Sequence, residues 1–391
     1  MTLPASLALE EAAVRLWDVL VVGAGPAGAL AARELARRGL AVLLVDRAQF
    51  PRWKVCGACL SARALATLAS VGLESLTEDC HAMPLAHLRL AAHDRGATLD
   101  LPGGVALSRE TFDAALVRTA ISAGAAFLPG TYATLAGVDT EGRVVFLRQG
   151  AREWRAGARL VIAADGLGGR LLAGESHIRT FAVWNSRIGA GTIAAEAPGA
   201  YTSGTIYMAC GPSGYVGLVR LEDNRLDIAA AFDRRAMQHA GGPAVLAAET
   251  LRAVGWPAIP GLSDLAWRGT PALTRRASPV AGERLFVVGD SAGYIEPFTG
   301  EGMAWALEAA VAVAPLAVEA VGQWTPRLAA RWTSTWRRTV GERRACRTAA
   351  RVLRSPRLTR SVVSLLERFP ALSQPVIRRL HRSSVQKAVH A

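Results

Sequence analysis

Lysine is almost absent from this 391-residue sequence, in which Lys54 and Lys387 stand against 43 arginines. The preference for arginine makes Lys54, which lies beside a Cys-x-x-Cys segment, worth explaining. Cysteine is also scarce: there are five, and only Cys56 and Cys59 are close in sequence. This odd, scattered set excludes a disulfide framework and favours a reducing compartment. No second pair of Cys or His ligands follows at zinc-site spacing, so no metal is predicted.

No secretion signal and no uninterrupted membrane-spanning run are visible, so we expect neither secretion nor a membrane span. The first sustained apolar run, residues 19–22, follows an acidic segment and leads directly into a glycine motif. The longest apolar region, residues 304–324, is interrupted by Glu308, Pro315 and Glu319. Because carboxylates are costly in hydrocarbon, we expect a buried helix there. A cytoplasmic location is predicted.

Acidic residues are rare in the C-terminal part of the chain. Residues 321–391 contain 16 Lys or Arg and two acids, so the net charge of +13 belongs to this segment. Apolar side chains recur there at helical spacing, and prolines divide the segment into short pieces. Two interpretations stay open: a helical cap on the body with a solvated Arg face, or contact with an acidic protein or the inner membrane surface. No nucleic-acid-binding motif accompanies the charge, so a nucleic-acid partner is not predicted.

Residues 18–46 have the pattern of a strand, a glycine-rich turn, a helix and a second strand. The turn is Gly23-x-Gly25-x-x-Gly28, and the second apolar run ends at Asp46. Glycines allow a pyrophosphate to approach the helix N-terminus, where free N–H groups favour anions. An acid at the end of the second strand can accept hydrogen bonds from a ribose. This unit predicts dinucleotide binding.

Two later strands end in similar short motifs. The stretch RLVIAADGLGGR ends its apolar run at Asp165-Gly166, and RLFVVGDSAGYIEPFTGEG does so at Gly289-Asp290. The second stretch continues through Pro297 to a glycine-rich turn with Gly300 and Gly302, which opens a long helix. Three strand ends directed at one ligand are more than a simple NAD domain requires.

Together these three motifs resemble the FAD-dependent family that includes aromatic hydroxylases, geranylgeranyl reductases and flavin halogenases. The resemblance implies that FAD is the cofactor, that Asp46 holds the adenosine ribose and that Asp290 holds the ribityl chain. It also implies that Arg109 approaches the phosphate and ribityl region and that Asp165 shapes the strand end. Gly300 and Gly302 would lie where the helix N-terminus faces the flavin, stabilising negative charge on its reduced form.

The resemblance implies an α/β fold: a Rossmann-like FAD-binding domain, an antiparallel-sheet substrate domain and a C-terminal helical segment. We assign residues 1–180 plus 271–324 to the first, 181–270 to the second and 325–391 to the third. Short runs rich in Val, Ile, Tyr and Gly predict the antiparallel sheet, with a hairpin turn at residues 222–225. Candidates for an apolar lining of the substrate site are Trp184, Tyr201, Tyr207, Met208 and Tyr215.

The stretch FPRWKVCGACL, residues 50–60, lies where this family covers the reacting face of the flavin. Lys54 and Cys56 are therefore the candidate catalytic residues. KVCG resembles the Lys-x-Cys-Gly of geranylgeranyl reductases, whereas the Lys-x-Gly-Glu-Ser of halogenases is not matched. The wall motifs Trp-x-Trp-x-Ile-Pro of tryptophan halogenases and Tyr-x-Trp-x-Phe-Pro of archaeal reductases are both replaced by Tyr215-Val-Gly-Leu-Val-Arg.

These departures rank monooxygenation of a lipophilic small molecule slightly ahead of reduction of a carbon–carbon double bond. A halogenase, a redox dithiol formed by Cys56 and Cys59, and a non-catalytic flavin electron carrier are weaker alternatives. NAD(P)H is the expected electron donor, although no second glycine fingerprint for a nicotinamide is visible. In a reductase, Cys56 is a candidate for the acid that supplies the proton.

Overall fold

The computed structural model describes residues 2–296, 298 and 300–381. Its strands are β1 (Leu16–Val22), β2 (Val42–Val45), β3 (Cys59–Ser61), β4 (Met83–Pro84), β5 (His87–Ala92), β6 (Arg95–Asp100), β7 (Gly104–Ala106), β8 (Ala126–Leu128), β9 (Tyr132–Val138), β10 (Arg143–Gln149), β11 (Arg152–Ala163), β12 (Arg179–Ala182), β13 (Ile188–Ala194), β14 (Thr205–Gly211), β15 (Gly214–Arg220), β16 (Leu226–Phe232), β17 (Arg268–Ala272), β18 (Arg275–Ser278), β19 (Ala281–Gly282), β20 (Leu285–Val287) and β21 (Gly293–Tyr294).

The α-helices are α1 (Leu9–Val14), α2 (Pro26–Ala36), α3 (Ala62–Ala69), α4 (Leu76–Asp79), α5 (Arg109–Ser122), α6 (Arg234–His239), α7 (Pro243–Ala253), α8 (Gly289–Ala292), α9 (Gly302–Gly322), α10 (Pro326–Glu342), α11 (Arg344–Val352), α12 (Pro356–Arg368) and α13 (Gln374–His381). Two short 3-10 turns, Leu171–Gly174 and Pro370–Ser373, complete the regular structure.

The larger sheet has eight strands and carries the dinucleotide unit. Its path is β19-β20-β11-β1-β2-β8, with β10 and β9 added antiparallel to β11. The central pairs β1/β2, β1/β11, β2/β8 and β11/β20 are parallel. Such strands are covered on both faces, which explains why β2 reads VLLV with all four residues buried. The three predicted strand ends, after Val22, Ala163 and Val287, therefore lie along one edge of the sheet.

The second sheet has seven strands in the order β17-β13-β16-β15-β14-β5-β6. All its pairs are antiparallel except β14 with β5. The predicted hairpin joins β15 and β16, and its turn residue Asn224 has a positive φ of 68°. Strands β5 and β6 come from residues 87–100, within the range that the sequence assigned to the FAD-binding unit. The sheet wall is thus wider than the predicted segment 181–270.

The two faces of this second sheet have different neighbours. One face packs on α7 in a core that includes Tyr207, Leu218 and Ile228. The opposite face, with Met208, Tyr215 and Ala231, looks toward the first sheet's strand ends. Because side chains alternate along a strand, neighbours such as Tyr207 and Met208 belong to different faces. The site is built on the Met208 side.

The helices after the second sheet complete the body. The predicted buried helix is α9. By length and composition α9 could cross a membrane, but 72% of its most apolar 18-residue window is buried inside the molecule. Trp332 of α10 is also buried and donates its indole N–H to the Val287 carbonyl at 3.0 Å. Helix α12 packs on β5 and β6. The predicted α/β architecture with a C-terminal helical segment is confirmed.

Candidate active site

The glycine-rich turn after β1 leaves no room for side chains at two of its glycines. Gly23 has a φ of +104°, and a Cβ there would overlap with the Ala164 backbone. A Cβ on Gly28 would overlap with the carbonyl oxygen of Gly23, one turn back across the helix entrance. Helix α2 begins at Pro26 after Gly25, which offers no side-chain cap. Its free N–H groups therefore face the end of the sheet and suit a pyrophosphate.

Asp46 braces this turn from the end of β2. Its Oδ2 accepts a hydrogen bond from the Ala24 N–H at 2.8 Å, and its Oδ1 accepts one from the Ala48 N–H at 2.9 Å. The guanidinium of Arg52 lies 3.5 Å from Oδ2. Since a carboxylate offers about four lone-pair directions, acceptor capacity remains for a ribose hydroxyl. The position agrees with the role that the resemblance implies.

Two guanidinium groups, one buried (Arg109) and one mostly buried (Arg52), stand over the glycine turn. Arg109 is the first residue of α5, after the N-cap Ser108, and its Nε and Nη2 donate to the Asp113 carboxylate at 2.9 and 2.8 Å. Arg52 reaches the same carboxylate at 3.0 Å. A Cβ on Gly25 would lie 3.7 Å from Nη2 of Arg52 and 3.8 Å from Nη2 of Arg109. This pair of forked donors suits phosphate oxygens. No sequence motif marks Arg52, although it lies two residues before Lys54.

Lys54 lies where the three fingerprint motifs meet. A Cβ on Gly166 would come within 3.0 Å of its Nζ, and Lys54 lines the same cavity as Arg109 and Asp290. Burial lowers the pKa of Lys54, as do Arg109 and Arg52, while Asp290 acts in the opposite direction. Burial raises the pKa of Asp290, against the opposing effect of Lys54. A cationic group in this position can stabilise an anionic cofactor or intermediate.

Asp165 acts on the strand ends rather than on the cavity. Its Oδ1 accepts from the Ser291 hydroxyl and its Oδ2 from the Leu171 N–H, both at 2.9 Å. Ser291 in turn accepts from the Gly166 N–H at 2.7 Å. These bonds fasten the Asp165-Gly166 turn to the Gly289-Asp290 turn. Gly166 and Asp290 line the cavity, whereas Asp165 and Gly289 lie behind it.

The last glycine motif opens helix α9 at the same cavity. Gly300, with a φ of +74°, and Gly302, the first residue of α9, both line it. The helix N-terminus thus faces the space between the two sheets, which agrees with the predicted position near a flavin. The predicted cofactor residue Pro297 lies outside the described residues.

One continuous cavity of about 440 Å³ joins these groups to the second sheet. This volume is in the usual range for a small-molecule site. Its sheet wall is made largely of small residues, since Gly189, Gly217, Ala229 and Ala231 come from three adjacent strands. Such a wall leaves space for a flat or chain-like apolar ligand beside the cofactor end.

The aromatic lining is only partly as predicted. Tyr215 and Met208 line the cavity, and Tyr215 packs edge-on against Phe298 at 5.1 Å. The predictions for Tyr207 and Tyr201 are wrong. Strand alternation turns Tyr207 to the α7 face, where it packs on Tyr201, and neither ring lines the cavity. The prediction for Trp184 is also wrong. It follows β12 in a loop and is 94% exposed, away from the cavity.

Cys56 and Cys59 both line the cavity and are free thiols. Cys56 lies close enough to Arg109 to interact electrostatically with its guanidinium. Cys59 donates to the Gly57 carbonyl at 2.9 Å, and burial, followed by Cys56 and Asp227, raises its pKa well above the ordinary value. This favours a protonated thiol at Cys59. The predicted catalytic residues Lys54 and Cys56 lie on the cofactor side of the cavity, because Lys54 is next to Gly166 and Cys56 is close to Arg109.

Asp227 is a buried acid that the sequence analysis missed. It lies on β16 directly between Val219 and Ile193 of the neighbouring strands, on the face that packs against Ala58 and Cys59. Its side chain is 3% exposed and Oδ2 has no hydrogen-bond partner. Burial raises its pKa well above the ordinary value, against the opposing effects of Arg225 and Arg109. The signal was present: an acid inside the apolar strand LDIAAAF.

The donor set fits an FAD molecule. The glycine turn and the Arg52–Arg109 pair suit a pyrophosphate, Asp46 suits a ribose, and the cavity between Asp290, Gly302 and the small-residue wall suits an isoalloxazine ring. Within the described part of the chain, no group of three or more His, Cys, Asp or Glu residues is placed to hold a metal ion.

Comparisons with known proteins agree with this geometry. A family model for the FAD binding domain matches residues 17–345. The chain is 31% identical over 307 residues to a menaquinone reductase of Mycobacterium tuberculosis, covering 74% of each chain. It is 32% identical over 340 residues to digeranylgeranylglycerophospholipid reductase 1 of Methanopyrus kandleri, covering 78% of this chain and 81% of that one. The structure of a flavin-dependent brominase superposes with a TM-score of 0.76 at 15% identity, covering 94% of both chains, which shows the fold alone.

Proposed function

This chain belongs to the FAD-binding-domain family of flavin-dependent oxidoreductases, and on that premise we propose that it reduces a carbon–carbon double bond of a lipophilic small molecule. The observation that carries the proposal is the cavity itself, which is lined both by Cys56 and Lys54 and by an apolar wall of small residues. Two relatives that are named reductases each match about three quarters of the chain or more. They support placing double-bond reduction ahead of monooxygenation, although the sequence motifs favoured monooxygenation.

The reaction adds two hydrogen atoms across the double bond, one as hydride and one as proton. FAD, when bound and reduced, supplies the hydride. The thiol of Cys56 donates the proton to the other alkene carbon, and its S–H bond breaks to leave a thiolate. The guanidinium charge of Arg109, which acts electrostatically on Cys56, stabilises that thiolate until a proton from solvent restores the thiol.

The remaining residues position and shield. The Gly and Ala wall admits an apolar chain, and Met208 and Tyr215 exclude water from the reacting bond. Asp290 opposes the lowering of the Lys54 pKa by burial, and the protonated form of Lys54 would favour an anionic reduced cofactor. We propose NAD(P)H as the electron donor, acting at a surface groove or through a partner protein, because the sequence carries no second glycine fingerprint.

Monooxygenation is the second candidate. It is favoured by β15, which reads GYVGLVR and lacks the Trp and Pro of the archaeal reductase motif. An oxygenase needs the same shielded cavity, since the protein there mainly positions and desolvates the substrate.

The deciding experiment uses purified FAD-loaded protein reduced without oxygen by NADPH or dithionite. A lipid carrying a geranylgeranyl chain and a polyprenyl quinone are then added as separate substrates. A product heavier by two hydrogens, formed without oxygen, supports the reductase. A product heavier by one oxygen atom, formed only after air is admitted, would establish the oxygenase and overturn the proposal.

A further inference from the structure

Helix α12 carries two separate apolar stripes. Thr359, Val363 and Leu366 face the body, and Val363 is fully buried. The second stripe has the spacing i, i+4, i+7 and i+11 and is 40–55% exposed: Leu358, Val362, Leu365 and Phe369. Because each helical residue advances the side chain by about 100°, the two stripes point roughly a quarter of a turn apart. The second stripe is therefore not part of the packing on β5 and β6.

Two more exposed apolar side chains follow shortly after α12 in the chain. Leu372 and Val376 are each 54% exposed. Of the sixteen large apolar side chains that are exposed in the described residues, six thus lie between residues 358 and 376. Single exposed apolar residues are normal, but a contiguous apolar surface marks an interaction site. We call these six residues the docking face.

Positive charge flanks the docking face on α12. Residues 344–381 include nine arginines and one acid, Glu367. On α12, Arg357 and Arg368 fall on the flank of the exposed stripe that is opposite the buried one. Both are exposed. Arg360 is on another side of the helix, where it pairs with Asp94 at 2.9 Å.

We propose that the docking face binds the surface of an anionic lipid bilayer, with the six apolar side chains in the acyl boundary and the flanking arginines on lipid phosphates. An amphipathic helix with a basic edge has this chemistry. A bilayer supplies an acyl boundary and phosphates together, whereas an acidic protein would need an apolar groove shaped for this stripe beside its acids.

The docking face is held in a fixed place relative to the cavity. Arg187 of the second sheet is 1% exposed and donates to the Leu353 carbonyl at 3.1 Å, just before α12. It also pairs with Glu296 at 3.1 Å. On the inner side of α12, Val363 and Leu366 pack in the same apolar cluster as Met208 and Tyr215, which line the cavity. One helix therefore separates the docking face from the substrate wall.

A lipid substrate could pass from the bilayer to the cavity beside this helix. This extension rests on the proposed function, whereas bilayer binding does not. Bilayer binding is tested with vesicles, and substrate passage is tested by turnover.

Bilayer binding is measured by co-sedimentation of the full-length FAD-loaded protein with phosphatidylcholine vesicles, with and without phosphatidylglycerol. We expect ~10-fold or stronger binding to the anionic vesicles, weakened by salt. Leu365→Glu with Phe369→Glu should reduce that binding ~10-fold or more. The matched control is Tyr132→Glu on β9, because Tyr132 and Phe369 are each 50% exposed; binding should not change.

Unchanged binding of the double variant, or equal binding to both vesicle types, would overturn the proposal. Loss of binding in Arg357→Gln with Arg368→Gln, while the double Glu variant still binds, would show charge attraction alone and would also overturn it. Passage of a lipid substrate from the bilayer to the cavity is tested by turnover. The double Glu variant should lose turnover of vesicle-borne substrate but keep turnover of detergent-dispersed substrate. If no variant, including the wild type, turns over either form, the proposed function fails while the vesicle result stands.

Discussion

The two ends of the cavity are built on different principles. At the glycine turn, the buried charges are mutually neutralised, since Arg52 and Arg109 share Asp113 and Arg52 also reaches Asp46. At the second sheet, the wall is Gly and Ala, and the acid Asp227 is buried with one oxygen unpartnered. The first end is rigid and specifies a charged cofactor. The second end is lined by glycine and alanine, whose small size leaves room for a ligand, so it selects that ligand by shape and apolar contact.

The most general effect, loss of the cofactor and with it of all activity, should follow from a methyl group at the cofactor end. In Gly28→Ala the new Cβ overlaps with the Gly23 carbonyl, which is backbone and cannot move aside. Overpacking of this kind costs roughly 1–3 kcal/mol, or about 10–100-fold in FAD affinity, and activity is lost with the cofactor. Flavin absorbance of the purified protein measures this.

The matched control for this change is Gly322→Ala at the end of α9, where a Cβ meets nothing within 4 Å. It should keep its FAD. Thermal unfolding of both variants without FAD separates loss of affinity from loss of fold. Normal FAD content in Gly28→Ala would mean that the glycine turn does not bind the pyrophosphate.

The next effect tests the chemistry between the two ends. Cys56→Ala removes the proposed proton donor, and general acid catalysis typically contributes about 10²–10⁴-fold. We expect product formation to fall by that order while reduction of the bound flavin by dithionite is unchanged. Cys59→Ala, in the same cavity, is the control and should have a much smaller effect. Equal losses in both variants would indicate packing rather than proton transfer.

The cofactor end of the cavity is easier to predict from sequence than the wall formed by the second sheet. The glycines and Asp46 form a local pattern, so the glycine turn is predicted from spacing. The role of Arg109 follows only from the family resemblance, and Arg52 was missed. The wall depends on which face each strand turns inward and on strands β5 and β6 from a distant segment. Aromatic content therefore misplaced Tyr207 and Trp184, while the glycines that form the wall gave no local signal.

A smaller effect should come from filling the wall. Gly217 lines the cavity, and a Cβ there would approach only the flexible end of Met208 within 3.4 Å. Gly217→Val should therefore keep FAD but raise KM about 10-fold for a bulky apolar substrate, since roughly 1–3 kcal/mol separates such fits. Gly137→Val on β9, with open space at its Cβ, is the control. An unchanged KM would place the substrate elsewhere.

The smallest effect is a pH dependence of stability at Asp227. Burial raises the pKa of this carboxyl in the folded protein well above the ordinary value of about 4. The folded state then binds a proton that the unfolded state has lost, so stability falls as the pH rises from about 4 toward the raised pKa. Asp227→Asn cannot ionise and escapes this loss. Its Tm relative to wild type should increase by about 2 °C or more between about pH 5 and about pH 8. Asp264→Asn, at an exposed loop position, should show no such trend. A pH-independent difference would mean that Asp227 is ionised in the fold, and the sheet end would then need a buried cation as its partner, like the cofactor end.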